Sequence, residues 1–484
     1  MRIEESDLLF VLPSCAAASR LRDALIEYFC RGAVSSFAVS RSRNTEAKQT
    51  FHGILIGMRT VIVATLMLAA TLVPAQFQAT KGHDKDKLHF TLVLSRHGVR
   101  PPTVAAPALD LHSSDPWPEW EVPSGFLTPH GDVAIREMGA YMRLDLVSKG
   151  LLPASGCSRI GEVYLYSDSL ERNIMSTRET VAGLQPGCDP LPIYTIVPAL
   201  SFRDPLFAPV PGSFPPPSAE ATTADRKGAM GYDPAAFSSL AGNPELKELA
   251  HILAPDPAHP AAKPILGDLN PLAAASSLVE DILLEYVDNK PMSEVGWGRV
   301  DESTLRRLIP LHTKQFAVAT RSPLSARIQG SNLMAHILDT LEQAQHNGAV
   351  PGAFGPAGAR LVYISGHDGN LFNVGGLFDL HWNVDGIADD APPDSQIVFE
   401  LWQNLKSKQY FVRLLYRAQT IDQLRSGEPL TLANPPAEVY LTPPGCTSGR
   451  PCPFATFDQA AHAALDPAYI KPDLLPAQIA PPNP

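Results

Sequence analysis

The chain has 484 residues, with 39 Lys and Arg against 50 Asp and Glu for a formal net charge of −11, and 45% of it is hydrophobic. That composition belongs to a globular protein, and the acidic balance argues against nonspecific nucleic-acid binding, which needs clustered cations to release counterions from a phosphate backbone. Its 47 Pro and 33 Gly fall short of the share that marks low-complexity disorder.

The most hydrophobic stretch near the N-terminus is 61–73, thirteen residues without a charge and too short for an ordinary membrane span. Met58-Arg59-Thr60 places a basic residue before it, and Val73-Pro74-Ala75 places small residues after it. This is the make-up of a secretory signal peptide over 58–75, with an uncleaved anchor as the alternative. Residues 1–57 are then an extension upstream of the true start. The remaining cysteines, Cys157, Cys188, Cys446 and Cys452, form an even set that allows three disulfide pairings. Closeness in sequence favours Cys157 with Cys188 and Cys446 with Cys452. A periplasmic or secreted location is expected.

Downstream, 88–95 is an apolar, β-branched run that reads as a buried strand, and 131–152 carries apolar residues three or four apart, as a helix does. A second strand at 162–167 precedes a helix over 170–184. This alternation predicts an α/β fold with a mostly parallel central sheet flanked by helices. The middle changes character: 208–345 is first rich in Pro and Ala and then helix-prone, and reads as a large, mostly helical insertion. Strand character returns at 360–365, so the α/β domain is expected to be discontinuous, over 84–207 and 346–466. An antiparallel pair is expected at 397–402 and 410–416, and the Pro-rich tail, 467–484, is expected to be loose.

The chemistry concentrates at strand ends, where ligands bind in open α/β sheets. Arg96-His97-Gly98-Val99-Arg100-Pro101 ends the first strand. Two guanidiniums flanking an imidazole keep it neutral, and a neutral imidazole among cations is poised to attack phosphorus. Gly98 lets the backbone approach closely. A second such element is Ser365-Gly366-His367-Asp368, where a His can donate to phosphoryl oxygens and a carboxyl can protonate a leaving oxygen. A third is Tyr166-Ser167-Asp168-Ser169-Leu170-Glu171-Arg172, which adds a cation at the start of a helix.

With these motifs the sequence resembles the histidine acid phosphatase family of the phosphoglycerate mutase-like fold, and it is most similar to bacterial periplasmic phytases and glucose-1-phosphatases. Trp117-Pro118-Glu119-Trp120, Asp204-Pro205-Leu206-Phe207, Gly296-Trp297-Gly298-Arg299 and Ile397-Val398-Phe399-Glu400 extend the match in order along the chain. The resemblance implies His97 as a nucleophile that forms a phosphohistidine. It implies Arg96, Arg100, Arg172 and His367 as holders of the phosphoryl group, and Asp368 as proton donor to the leaving alcohol. Glu280 and His312 are candidate pocket residues, both cysteine pairs have counterparts, and neither cofactor nor metal is implied.

Three positions depart from the family pattern: Asn173 and Gly369 stand where a hydroxyl residue is usual, and Val104 where phytases tend to carry a base. The expected activity is therefore hydrolysis of small-molecule phosphate monoesters with broad specificity. Alternatives are a phytase, a glucose-1-phosphatase-like specialist and, more distantly, a noncatalytic phosphate-ligand binding protein. Neither nucleic acid nor, after leader cleavage, a membrane is an expected partner.

Overall fold

The computed structural model describes residues 86–196, 204–209, 216–230, 243–265, 270–474 and 476–481; the expected leader at 58–75 and the extension before it lie outside the described residues. The strands are β1 (Asp86–Arg96), β2 (Val163–Ser167), β3 (Ile193–Ile196), β4 (Leu361–Gly366), β5 (Asn383–Val384), β6 (Ile387–Ala388), β7 (Gln396–Asn404), β8 (Tyr410–Ala418), β9 (Ala437–Leu441), β10 (Cys452–Pro453) and β11 (Ala477–Ile479). Nine of them form one sheet in the order β10-β8-β7-β1-β4-β2-β3-β11, with β9 also paired to β8. β1, β4, β2 and β3 run parallel, and the expected antiparallel pair, β7 and β8, continues the sheet beyond β1.

The main helices are α1 (Pro129–Ser148), α2 (Glu171–Leu184), α3 (Ala219–Met230), α4 (Pro244–Leu253), α5 (Pro271–Val287), α6 (Glu302–Ala319), α7 (Pro323–His346), α8 (Asp368–Leu377), α9 (Ile421–Ser426) and α10 (Phe454–Ala464). Local chemistry sets their starts. Thr128 accepts a hydrogen bond from the Gly131 amide ahead of Pro129, and Asn243 and Asn270 cap α4 and α5 in the same way.

The sheet is covered on both faces. Phe90, Leu92 and Leu94 of β1 pack with Leu333 and Ile337 of α7, Phe372 of α8 and Phe457 of α10. Val93 points the other way, into a cluster with Met142 and Leu146 of α1 and Ile174 and Val181 of α2. The alternation follows the two-residue period of a strand. A register shift against β7 between Leu88 and Phe90 turns Leu88 to the Val93 face.

Among the described residues, 204–346 contains helices and no strand. α4, α5 and α6 bury Leu249, Ile282 and Leu308 in a cluster of their own, which also takes Val99 and Trp117 from the chain after β1. α7 differs, since Leu333, Met334, Ile337 and Leu341 pack with the sheet. The described part of the tail holds more regular structure than its composition implies. Between Pro476 and Pro481 lie four residues whose amides are free to pair, and β11 forms there against β3. Disulfides link Cys157 to Cys188 and Cys446 to Cys452, with Cα separations of 5.7 and 5.6 Å.

Candidate active site

Ladder register brings the three motifs together. Arg96 pairs with Gly366 and Ser167 with Ser365, so β1, β4 and β2 end level and their following loops meet beyond the carboxyl ends of the parallel strands.

His97 is buried, and its Nδ1 lies 2.8 Å from the Gly98 carbonyl. A carbonyl only accepts, so Nδ1 carries the proton and Nε2 the lone pair. Burial, followed by the charges of Arg172, Arg100 and Arg96, holds this imidazole well below the usual histidine range. Close packing explains the glycine beside it. A Cβ on Gly98 would lie 2.7 Å from Ile135 Cγ1 and 2.8 Å from Leu127 Cδ1. The close approach expected of Gly98 is therefore made to α1 and the segment before it.

The cations converge from separate elements. Arg96 Nη2 contacts Glu280, and it lies 3.1 Å from Asp368 Oδ2. Arg100 Nη2 lies 3.2 Å from the same Glu280 oxygen. Arg172, in the first turn of α2, donates to the Gly125 carbonyl at 3.2 Å. Burial and the neighbouring Arg100 push its guanidinium down to about 10. The Nε atoms of all three arginines are buried without a hydrogen-bond partner among the described residues.

His367 precedes α8, and its amide donates to Asn370 Oδ1 at 2.9 Å. The ring lies edge-on to His97 at 5.4 Å between centroids, and its Nε2 is 2.7 Å from Asp168 Oδ2. Asp368 opens α8, with Oδ1 accepting from the Gly369 amide at 2.6 Å. The sequence-expected residues His97, Arg96, Arg100, Arg172, His367 and Asp368 thus share one crevice.

Glu280 joins them from α5. Burial opposes its charge, but Arg100 and Arg96 outweigh burial and hold the carboxyl below its usual range. His312 lies deeper, with Nδ1 3.1 Å from Ser276 Oγ and Nε2 buried without a partner among the described residues. Asn173 retains a structural bond where a hydroxyl residue is usual, since its Nδ2 donates to the Gly366 carbonyl at 2.6 Å. Gly369 has open space where a Cβ would stand.

Two carboxyls in this region were not anticipated. Asp168 lies between Tyr166 and Arg172, yet only the ladder register reveals that it faces His367. Asp390 is buried, and burial pushes its carboxyl up although His312 and Arg96 oppose the shift. Its sequence context, Ala388-Asp389-Asp390-Ala391, reads as an ordinary polar loop.

A neutral nucleophile among three guanidiniums, with a carboxyl one residue from a second histidine, is the equipment of phosphoryl transfer. The family model of the histidine phosphatase superfamily (branch 2) matches residues 87–417. The chain belongs to this superfamily. It is 32% identical over 438 residues to the phytase AppA of Escherichia coli (strain K12), across 85% of this chain and 99% of that protein. It is 27% identical to the glucose-1-phosphatase of Salmonella typhimurium, across 84% of this chain and all of the relative. The structure of the Hafnia alvei phytase in complex with tartrate superimposes with a TM-score of 0.72 at 29% identity, across 81% of this chain and all of that one. This histidine phosphatase is a phosphoric monoester hydrolase. No helix among the described residues is long and apolar enough to cross a membrane.

Proposed function

We propose that the enzyme is an exported acid phosphatase of broad monoester specificity that works through a phosphohistidine on His97. The observation that carries this reading is His97 itself, a buried imidazole with its lone pair on Nε2 and three guanidiniums around it. Nε2 attacks phosphorus as the bond to the ester oxygen breaks, and Asp368 gives its proton to the departing alkoxide. Arg96, Arg100, Arg172 and His367 take the nonbridging oxygens, where charge is spread in the transition state. Water then attacks the phosphohistidine, Asp368 accepts its proton, and inorganic phosphate leaves with His97 restored.

The crevice rim supports broad specificity over a dedicated phytase. Gly125, whose carbonyl binds Arg172, is flanked by Phe126, which is 38% exposed. Val104, 43% exposed, follows Thr103, whose methyl would lie 3.6 Å from a Cβ on Gly125. A ligand with many phosphates gains from cations at such a rim, and two exposed apolar side chains stand there instead. The two disulfides and the leader-like segment at 58–75 support export.

The test is phosphate release at pH 4 to 7, with EDTA present, from p-nitrophenyl phosphate, glucose 1-phosphate and phytate. Protein from Gln76 onward is compared with its His97→Ala variant. Release from all three that falls roughly 10⁴-fold or more in the variant is expected. Turnover that survives in His97→Ala would overturn the reading. Val104→Lys should raise kcat/KM for phytate relative to p-nitrophenyl phosphate.

A further inference from the structure

Resting on that phosphoryl-binding reading, we infer that Asp168 is a positioning residue for His367, fixing which ring nitrogen faces the phosphoryl group. The backbone ladder sets its place. β2 and β4 pair through Ser167 and Ser365, and the Asp168 amide donates to the Ser365 carbonyl at 3.0 Å, so Asp168 stands level with the start of the His367 loop. The residue is 2% exposed, and both carboxylate oxygens are engaged. Oδ1 accepts from the Ser169 amide at 2.7 Å, and Oδ2 lies 2.7 Å from His367 Nε2.

An ionised carboxylate only accepts, so Nε2 must carry the proton in this pair. Nδ1 is then the nitrogen left for a phosphoryl oxygen, to which it donates when the ring carries a proton on both nitrogens. The ring is held from a second side by Phe207, edge-to-face at 6.4 Å, and Phe207 is fixed in turn by its carbonyl, which accepts from Asn370 Nδ2 at 2.8 Å. Asp168 therefore sets the ring's rotation about its own axis, and Phe207 sets its tilt. A buried carboxylate that accepts from a working histidine fixes the ring's tautomer and orientation.

A double-mutant cycle tests it in the folded enzyme. Asp168→Asn keeps the size of the side chain but can present an amide donor to Nε2. It should lower kcat/KM for p-nitrophenyl phosphate roughly 100-fold, the scale of a misplaced catalytic group. It should also weaken competitive inhibition by orthovanadate in proportion, with the melting temperature unchanged. In a His367→Ala background the same substitution should change kcat/KM by less than about twofold. Asp168→Ser serves as a second carboxylate-free variant should Asp168→Asn impair folding. A purely structural role would instead lower the amount of active enzyme and leave vanadate inhibition unmoved, which would overturn the inference. So would an equal loss in both backgrounds, because Asp168 would then act through another group. Wild-type activity of Asp168→Asn in an enzyme that needs His367 would overturn this inference alone. Wild-type activity of His367→Ala would overturn the phosphoryl-binding reading with it.

Discussion

Lys149, partly buried, and Arg417, fully buried, sit where α1 meets β7 to β9, and each contacts two carboxylates. Lys149 Nζ lies 2.8 Å from Asp145 and 2.6 Å from Glu400, and Arg417 Nη2 lies 2.7 Å from both Asp145 and Glu438. Arg172, partly buried at the strand ends of the same sheet, has no carboxylate within salt-bridge distance among the described residues and donates to a backbone carbonyl. The electrostatics diverge accordingly. Burial works against the charge of Lys149, yet Glu400 and Asp145 push its ammonium well up, whereas burial and Arg100 push Arg172 down. Arg96 sides with the first group, because Asp368 and Glu280 raise it against burial. Where each cation touches two carboxylates the charges lock elements together; where a cation such as Arg172 touches none, the protein leaves room for an anion to complete the set.

Methionine at each cation separates the two roles. Lys149→Met should destabilise the fold by about 3–5 kcal/mol in urea unfolding, because Glu400 and Asp145 lose a buried partner, while turnover per folded molecule stays unchanged. Arg172→Met should do the reverse, lowering kcat for p-nitrophenyl phosphate roughly 10²- to 10³-fold, with stability at least as high as before. Similar stability losses in both variants would erase the distinction.

A pH series sharpens it further. Burial pushes Asp281 and Glu285 on α5 up to about 8. Both carboxyls are then neutral in the folded protein between roughly pH 4 and 8 and ionised in the unfolded chain, so the folded state binds more protons there. Stability falls as pH rises through that window. Depression of His97 has the opposite sign and acts below about pH 6.5, where the unfolded chain takes up a proton that the folded one refuses. The melting temperature should therefore drop between pH 6.5 and 8, and Glu285→Gln should flatten that drop. A melting temperature that rises across this interval would contradict the assignment. The smallest effect is expected at Gly369→Ser, which has open space for its side chain and should change kcat by less than about threefold.

The alternating segments at 88–95, 162–167 and 360–365 became three of the four parallel strands because apolar runs at strand length are strong local signals. β3 and β11 were missed, each being a short run bracketed by prolines, and their pairing is decided by each other. The crevice was legible where a motif concentrates several chemically distinctive residues, as in Arg96-His97-Gly98-Val99-Arg100. It was not legible where a residue works through register. Asp168 and Asp390 are single acids in polar loops, and only the ladder and the burial of the finished fold give them histidine and arginine neighbours.

In the proposed reaction His97 carries the phosphoryl group. Mixing enzyme with ³²P-labelled substrate, quenching within milliseconds in alkali and mapping the labelled peptide tests it directly, since a phosphorus–nitrogen bond on imidazole survives base and is lost in acid. Acid-labile, base-stable label is expected on His97, forming and decaying no more slowly than turnover. Turnover with no label on His97 would contradict it.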